Sequence, residues 1–259
     1  MRLGLMAVAV VALLAVPAFA QQAQPAPKAA PVASDAGNLV QGFPTQIIDT
    51  TTTPEGKLQF DVNAGYVSGE GLQTTLWELS YGVTPDVQIS AFWPFIIGEG
   101  RVTGNFDTSI EVLGNLYKGD ENWPSFGLEL IGRFPTGFGF TGYDGTINGV
   151  ATKAFGAWRA NLNAGYTTIG NNETANRAHT DSYKIGVDYM VEDNVCVIAD
   201  YFNNMAPVIG AERIQMLEVG ARWAATQIDT LSLGVGVGVG NGNATPDFTA
   251  TLGYQRVLN

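Results

Sequence analysis

The chain has one cysteine and one histidine in 259 residues. Cys196 therefore has no partner for an internal disulfide. A His/Cys metal centre is unsupported too, because His179 and Cys196 fall in different predicted elements. His179 reads as a solvated residue of a predicted loop over 168–180. A Ser–His–acid hydrolase needs its histidine beside a serine and an orienting acid. Ser182 is near in sequence, but no spacing fixes that geometry. Charged residues make up only 14%, and the formal net charge is −11, which argues against nucleic acid as a partner. Beyond residue 20 no run reaches the ~18 consecutive apolar side chains of a helical membrane span. The stretch Gly234–Gly240 alternates glycine with valine, but no helix follows, so it is not a phosphate or dinucleotide loop. No catalytic residue, cofactor or metal is expected.

The N-terminus carries an export signal. Met1-Arg2 is a short basic start, Leu3–Val16 is apolar, and Pro17-Ala18-Phe19-Ala20 ends in a small-residue cleavage site. Residues 1–20 read as a signal peptide, too short and wrongly flanked to be an anchor. No cysteine follows the site, which argues against a lipoprotein. Loss of Arg2 takes the formal charge from −11 to −12. Residues 21–43, rich in Ala, Pro and Gln, read as a disordered periplasmic linker. The competing reading is a plug that enters the fold. Residues 44–259 are left as one large folded domain.

That domain is dominated by alternation. From Trp158 to Tyr166 every second residue is apolar (Trp158, Ala160, Leu162, Ala164, Tyr166), with Arg159, Asn161, Asn163 and Gly165 between. A strand sends successive side chains to opposite faces. A soluble sandwich would turn the apolar face inward, whereas an outer-membrane barrel turns it to lipid and lines its lumen with the polar face. Ten further runs share the pattern, most of them near the ~9–11 residues of a tilted membrane strand. Tight turns fall at 83–86, 119–124, 192–194 and 225–230. Turns on one side of a barrel must be separated by an even number of strands. Three strands lie between 119–124 and 192–194, so one is missing. Asp144–Ala154, poorly patterned, is the best candidate, with Phe155-Gly156 as its turn. The longer loops then fall near 67–71, 98–104, 135–143, 168–180, 203–211 and 241–246.

The expected fold is thus all-β, an antiparallel up-and-down transmembrane β-barrel of about twelve strands. Aromatics gather towards strand ends: Tyr66, Trp77, Tyr81, Trp93, Trp158, Tyr166, Tyr183, Tyr201, Trp223 and Tyr254. A sandwich core would favour Val, Ile and Leu, whereas interfacial girdles need aromatics there. The last strand ends Arg256-Val257-Leu258-Asn259, without the terminal aromatic common in outer-membrane proteins.

Four stretches carry a resemblance: Asp49-Thr50-Thr51-Thr52-Thr53-Pro54-Glu55-Gly56-Lys57; Phe134-Pro135-Thr136-Gly137; Trp158-Arg159 through Asn163-Ala164-Gly165-Tyr166-Thr167; and Thr245-Pro246-Asp247-Phe248-Thr249. Over roughly residues 45–258 the chain resembles the outer-membrane transporter family named after meta-pathway phenol degradation. The resemblance implies a barrel of about twelve strands and a transport role, and carries no catalytic residues.

In this register the lumen set holds Asp61, Glu78, Asp107, Glu111, Glu129, Asp188, Asp200 and Glu218, with the bases Arg133, Arg159, Lys184 and Arg222. A charge in a narrow lumen must be paired or wet. One reading is a salt-bridged network that stiffens the barrel. The other is an acid-rich water pathway for cations or neutral polar solutes. Gly234, Gly236, Gly238 and Gly240 leave a strip of inner wall without side chains. Close approach of another element, such as residues 21–56, or barrel curvature alone would account for it. The functional expectation is a monomeric channel for passive passage of small molecules, partnered by outer-membrane lipid. The alternative is a non-conducting structural or adhesion barrel with a sealed lumen. A loop-based outer-membrane enzyme using His179 is a third.

Overall fold

The computed structural model describes residues 44–68, 72–98, 104–105, 107–137, 142–170, 176–240 and 245–258. The signal peptide and the linker 21–43 lie outside them. Among the described residues the regular structure is all strand: β1 (Leu58–Val67), β2 (Leu72–Thr84), β3 (Val87–Gly98), β4 (Gly104–Asn105), β5 (Ser109–Tyr117), β6 (Ser125–Arg133), β7 (Asp144–Phe155), β8 (Trp158–Thr168), β9 (His179–Glu192), β10 (Val195–Asn204), β11 (Ile214–Ala224), β12 (Asp229–Gly238) and β13 (Phe248–Leu258). Apart from the two-residue β4 there are twelve, and every neighbouring pair is antiparallel. β1 pairs with both β2 and β13, so the sheet closes on itself. Closure leaves no unpaired edge, as a spanning sheet requires.

The sandwich reading is overturned by the direction of the side chains. On β8, Leu162 is 54% exposed while the neighbouring Asn163 is 1% exposed. Trp158 and Tyr166 share the exposed face; Asn161 is buried and Arg159 half-buried on the other. The same order holds on β10–β12, where Val197, Leu217, Val219 and Leu233 are exposed and Asp200, Glu218 and Ser232 are buried. Greasy side chains turned outward around a polar interior are stable only in lipid.

The missing strand is β7, and it begins at Asp144. Its pattern was hidden because two glycines, Gly145 and Gly149, face outward where apolar residues are expected, and Val150 faces inward and is buried. The β7–β8 turn is Gly156-Ala157, with Gly156 at φ +64°. The expected turn Phe155-Gly156 is thus displaced by one residue, because Phe155 ends β7, and further boundaries differ from the sequence reading. His179 is the first residue of β9, not a loop residue. Asp107 precedes β5 instead of lying within it. β12 stops at Gly238, two residues before the glycine–valine alternation ends.

The wall of the barrel starts at Leu58. Residues 44–57 are not part of it. They form a strap across its inner surface, and this strap organises the interior.

Candidate functional site: the strapped lumen

Glycine makes the strap fit. A Cβ placed on Gly234 would lie 2.7 Å from Pro44 Cβ and 2.8 Å from Pro44 O. One on Gly220 would strike the ring of Pro44, and one on Gly186 would come within 3.1 Å of Ile47 Cγ1. On Gly127 it would be 3.2 Å from Thr50 Cγ2, and on Gly82 it would strike the carbonyls of Thr53 and Pro54. These glycines belong to β12, β11, β9, β6 and β2, so they mark the path of the strap around the inner wall. Close approach, and not curvature alone, explains the bare strip at Gly234. Gly236 is instead filled by Thr249, Met216 and Glu218, and Gly238 by Thr245 and Pro246.

Polar side chains of the wall then take the backbone groups of the strap, which have no sheet partner of their own. Gln46 N–H donates to Glu218 Oε2 at 2.9 Å. Ile47 N–H donates to Asp200 Oδ2 at 3.1 Å. Asn163 accepts from Ile48 N–H at 2.9 Å and donates to Ile48 O at 2.8 Å, in place of a strand neighbour. Thr50 N–H donates to Thr152 Oγ1 at 3.3 Å, and the Thr50 and Ser125 hydroxyls meet at 2.7 Å. Gln88 Oε1 accepts from both the N–H and the hydroxyl of Thr53, at 2.8 and 3.0 Å. Finally Gly56 N–H donates to Gly82 O at 2.8 Å, and the chain enters β1. One apolar contact seats the middle of the strap. Ile47 packs with the inward Cys196 and Ile198 of β10, and Met190 lies against them. An apolar patch on a polar inner wall therefore has a partner of its own.

Ten of the twelve charged residues expected in the lumen fall into three groups, and Lys184 and Arg222 lie between them. Asp188, Arg159, Asp200 and Glu218 surround the strap. Arg159 lies 3.5 Å from both Asp49 of the strap and Asp188, and Asn161 donates to Asp188 at 2.8 Å. Asp107 and Arg133 meet at the loop end, 3.2 Å apart, where Arg133 also pairs with Asp144. Asp61, Glu78, Glu111 and Glu129 form a separate strip on β1, β2, β5 and β6. Lys184 interacts electrostatically with Glu129, Asp200, Glu218 and Glu111, and the buried Arg222 with Asp61 and Asp188.

Sequence reasoning missed Asp49, Asp144, Thr152 and Ser125 as members of this interior. Asp49 and its threonine run were visible only as the approach to β1. The inward glycines on five separate strands were the available signal, because each leaves a strip of wall that something else must fill.

On the outer face Tyr66, Tyr81, Trp158, Tyr166, Tyr183 and Trp223 are exposed near strand ends. Tyr201 and Tyr254 are half-buried, their hydroxyls donating to Gln215 and Asp229. Trp77 and Trp93 depart from that placement. They face each other in mid-strand, and Trp77 also packs edge-on against Phe60 and Phe95. His179 stacks on Tyr166 on the exposed face, while Ser182 lies on the other side of β9, so the two do not form a hydrolase pair.

No family model matches the chain, and no curated protein matches it in sequence. The family resemblance therefore rests on the four stretches quoted for it. Solved structures do match. The COG4313 outer membrane channel from Pseudomonas putida F1 aligns over 81% of this chain and 98% of its own, with a TM-score of 0.65 and 16% identity. The fold is that of an outer-membrane barrel. The KdgM porin in complex with disordered oligogalacturonate aligns over 78% of this chain and 99% of its own (TM-score 0.58, 11% identity). The NanC porin aligns over 76% and 98% (TM-score 0.58, 12% identity). These neighbours are channels and porins.

Proposed function

We propose that the protein is a monomeric outer-membrane channel for small molecules whose bore is set by the strap, residues 44–57. The observation that carries this reading is the strap itself. It crosses the inner wall from β12 to β2 on glycine seats and side-chain hydrogen bonds. A barrel that needed only to be filled would use bulky inward side chains. This one has a separate segment lying on a wall of inward glycines and polar side chains. The tight turns at 85–86, 156–157 and 193–194 would face the periplasm and the longer loops the exterior. The exposed ring of tyrosines and tryptophans would sit at the lipid–water boundaries.

The strap also favours a second reading, a sealed scaffold barrel. Planar-bilayer recording and liposome swelling separate the two, using wild type and an internal deletion of 44–53. Heat-modifiable gel mobility checks that both are folded. The channel reading expects conductance in the wild type and a severalfold rise on deletion. A folded pair that neither conducts nor admits solute overturns it and leaves the scaffold.

A further inference from the structure

Four carboxylates of the inner wall take no part in holding the strap, and they are arranged as two pairs. Asp61 and Glu78 are directly opposite on β1 and β2. Glu111 and Glu129 are diagonal neighbours on β5 and β6, since Glu129 is opposite Leu113. β3 lies between the pairs, and its inward residues level with them are Gln88, Ser90 and Phe92. Two interstrand spacings therefore separate one pair from the other, roughly 10 Å around the wall. Like charges placed opposite each other destabilise a sheet, and charges in a narrow lumen need a counter-charge. The groups that face this strip electrostatically from other elements are Lys184 of β9 and Arg222 of β11. Lys184 also faces Asp200 and Glu218, and Arg222 also faces Asp188 and Asp49. The strip therefore sets four acids against two bases, both of which are shared with other acids.

A second observation points the same way. Gln59, 3% exposed, donates its amide N–H to Asp61 at 2.9 Å and leaves its own Oε1 buried without a partner. Asn148, 4% exposed, donates to Glu129 at 3.0 Å and likewise leaves Oδ1 without one. Each pair of acids thus has a buried, unused acceptor beside it. An ammonium group carries three donors and a positive charge, the complement of both. A metal ion does not fit, because among the described residues no three acidic, histidine or cysteine side chains converge on one point. Separated acid pairs suit a cation whose charges are also separated.

We propose that the strip Asp61–Glu78–Glu111–Glu129 is a binding site for an aliphatic di- or polyamine, with one ammonium at each carboxylate pair and Gln59 and Asn148 completing the acceptor set. This assigns a solute class to the channel and rests on that reading for its transport meaning, although the binding itself does not.

Isothermal titration of the full-length detergent-solubilised protein with spermidine at low salt tests it. Saturable binding is expected, at least about tenfold weaker in Glu78→Gln/Glu111→Gln and unchanged in Asp229→Asn, whose carboxylate lies at a turn. If the double variant fails to fold, Asp61→Asn alone takes its place, with a smaller loss expected. Equal binding by wild type and folded variant overturns the site. Spermidine block of the current is measured in parallel. Conductance without binding or block removes the site and leaves the channel. Binding without conductance in either wild type or the 44–53 deletion removes the channel and leaves the site.

Discussion

The inner wall has two acidic regions built from the same residue types and put to different use. On β10 and β11, Asp200 and Glu218 are directly opposite, and each accepts a backbone N–H of the strap. On β1 and β2, Asp61 and Glu78 are also directly opposite, but their hydrogen bonds come from side chains of the wall, Gln59, Ser80 and Ser90, and not from the strap. A carboxylate pair is thus not a site or a clamp by composition. What it becomes depends on which donors the fold delivers to it. Glycine makes that difference. Gly186, Gly220 and Gly234 lie beside Asp200 and Glu218 and admit the strap, whereas Asp61 and Glu78 are flanked by the larger Asn63 and Ser80.

The comparison breaks most visibly if the first pair is removed. Asp200→Ala/Glu218→Ala takes away two side-chain acceptors and leaves two strap N–H groups without their partners, at about 1–3 kcal/mol each. Release of the strap is expected, read as thiol labelling of Ile48→Cys at least about a hundredfold faster, a factor that ~3 kcal/mol covers. The assay is run in a Cys196→Ala background, because Cys196 packs under Ile47 and would be uncovered with the strap. Asp61→Ala/Glu78→Ala should leave labelling at the wild-type rate. Equal acceleration by both doubles would erase the distinction. Gly234→Val comes next. Its side chain would collide with Pro44, at an expected cost of about 1–3 kcal/mol in strap docking. Gly149→Val, on the exposed face with Ala164 O at 3.9 Å, should change stability by less than ~0.5 kcal/mol. Urea refolding into vesicles and the same labelling assay would show both. The smallest effect lies outside the barrel wall, at Asp120 in the β5–β6 turn. The Tyr117 hydroxyl and the Trp123 and Asn122 amides hold its carboxyl below the ordinary 3.8. That stabilisation is present above pH 3.8 and is lost as pH falls through the lower folded value. The stability difference between wild type and Asp120→Asn should therefore be slight at pH 7 and vanish in strong acid.

How much could be read in advance depended on how far each signal extended along the chain. Alternation is local, so Leu162 against Asn163 disclosed the two faces of the barrel wall without any structure. Turn parity disclosed β7 even though Gly149 and Val150 hid its pattern. The strap was illegible for the opposite reason. Ile47-Ile48-Asp49 follows no period, because its partners Asp200, Asn163 and Arg159 are scattered over β10 and β8, more than a hundred residues away. The inward glycines recorded its presence, but only as empty space on five separate strands.

By itself the sequence determined the barrel: side-chain direction alternates with period two, and that rule turns a list of residues into a lipid face and an inner face. Which carboxylates would hold the chain and which would be left facing the lumen was decided only by the closed sheet. Ring closure brings β12, β10, β8 and β2 around one strap, and no local property of those strands encodes that meeting.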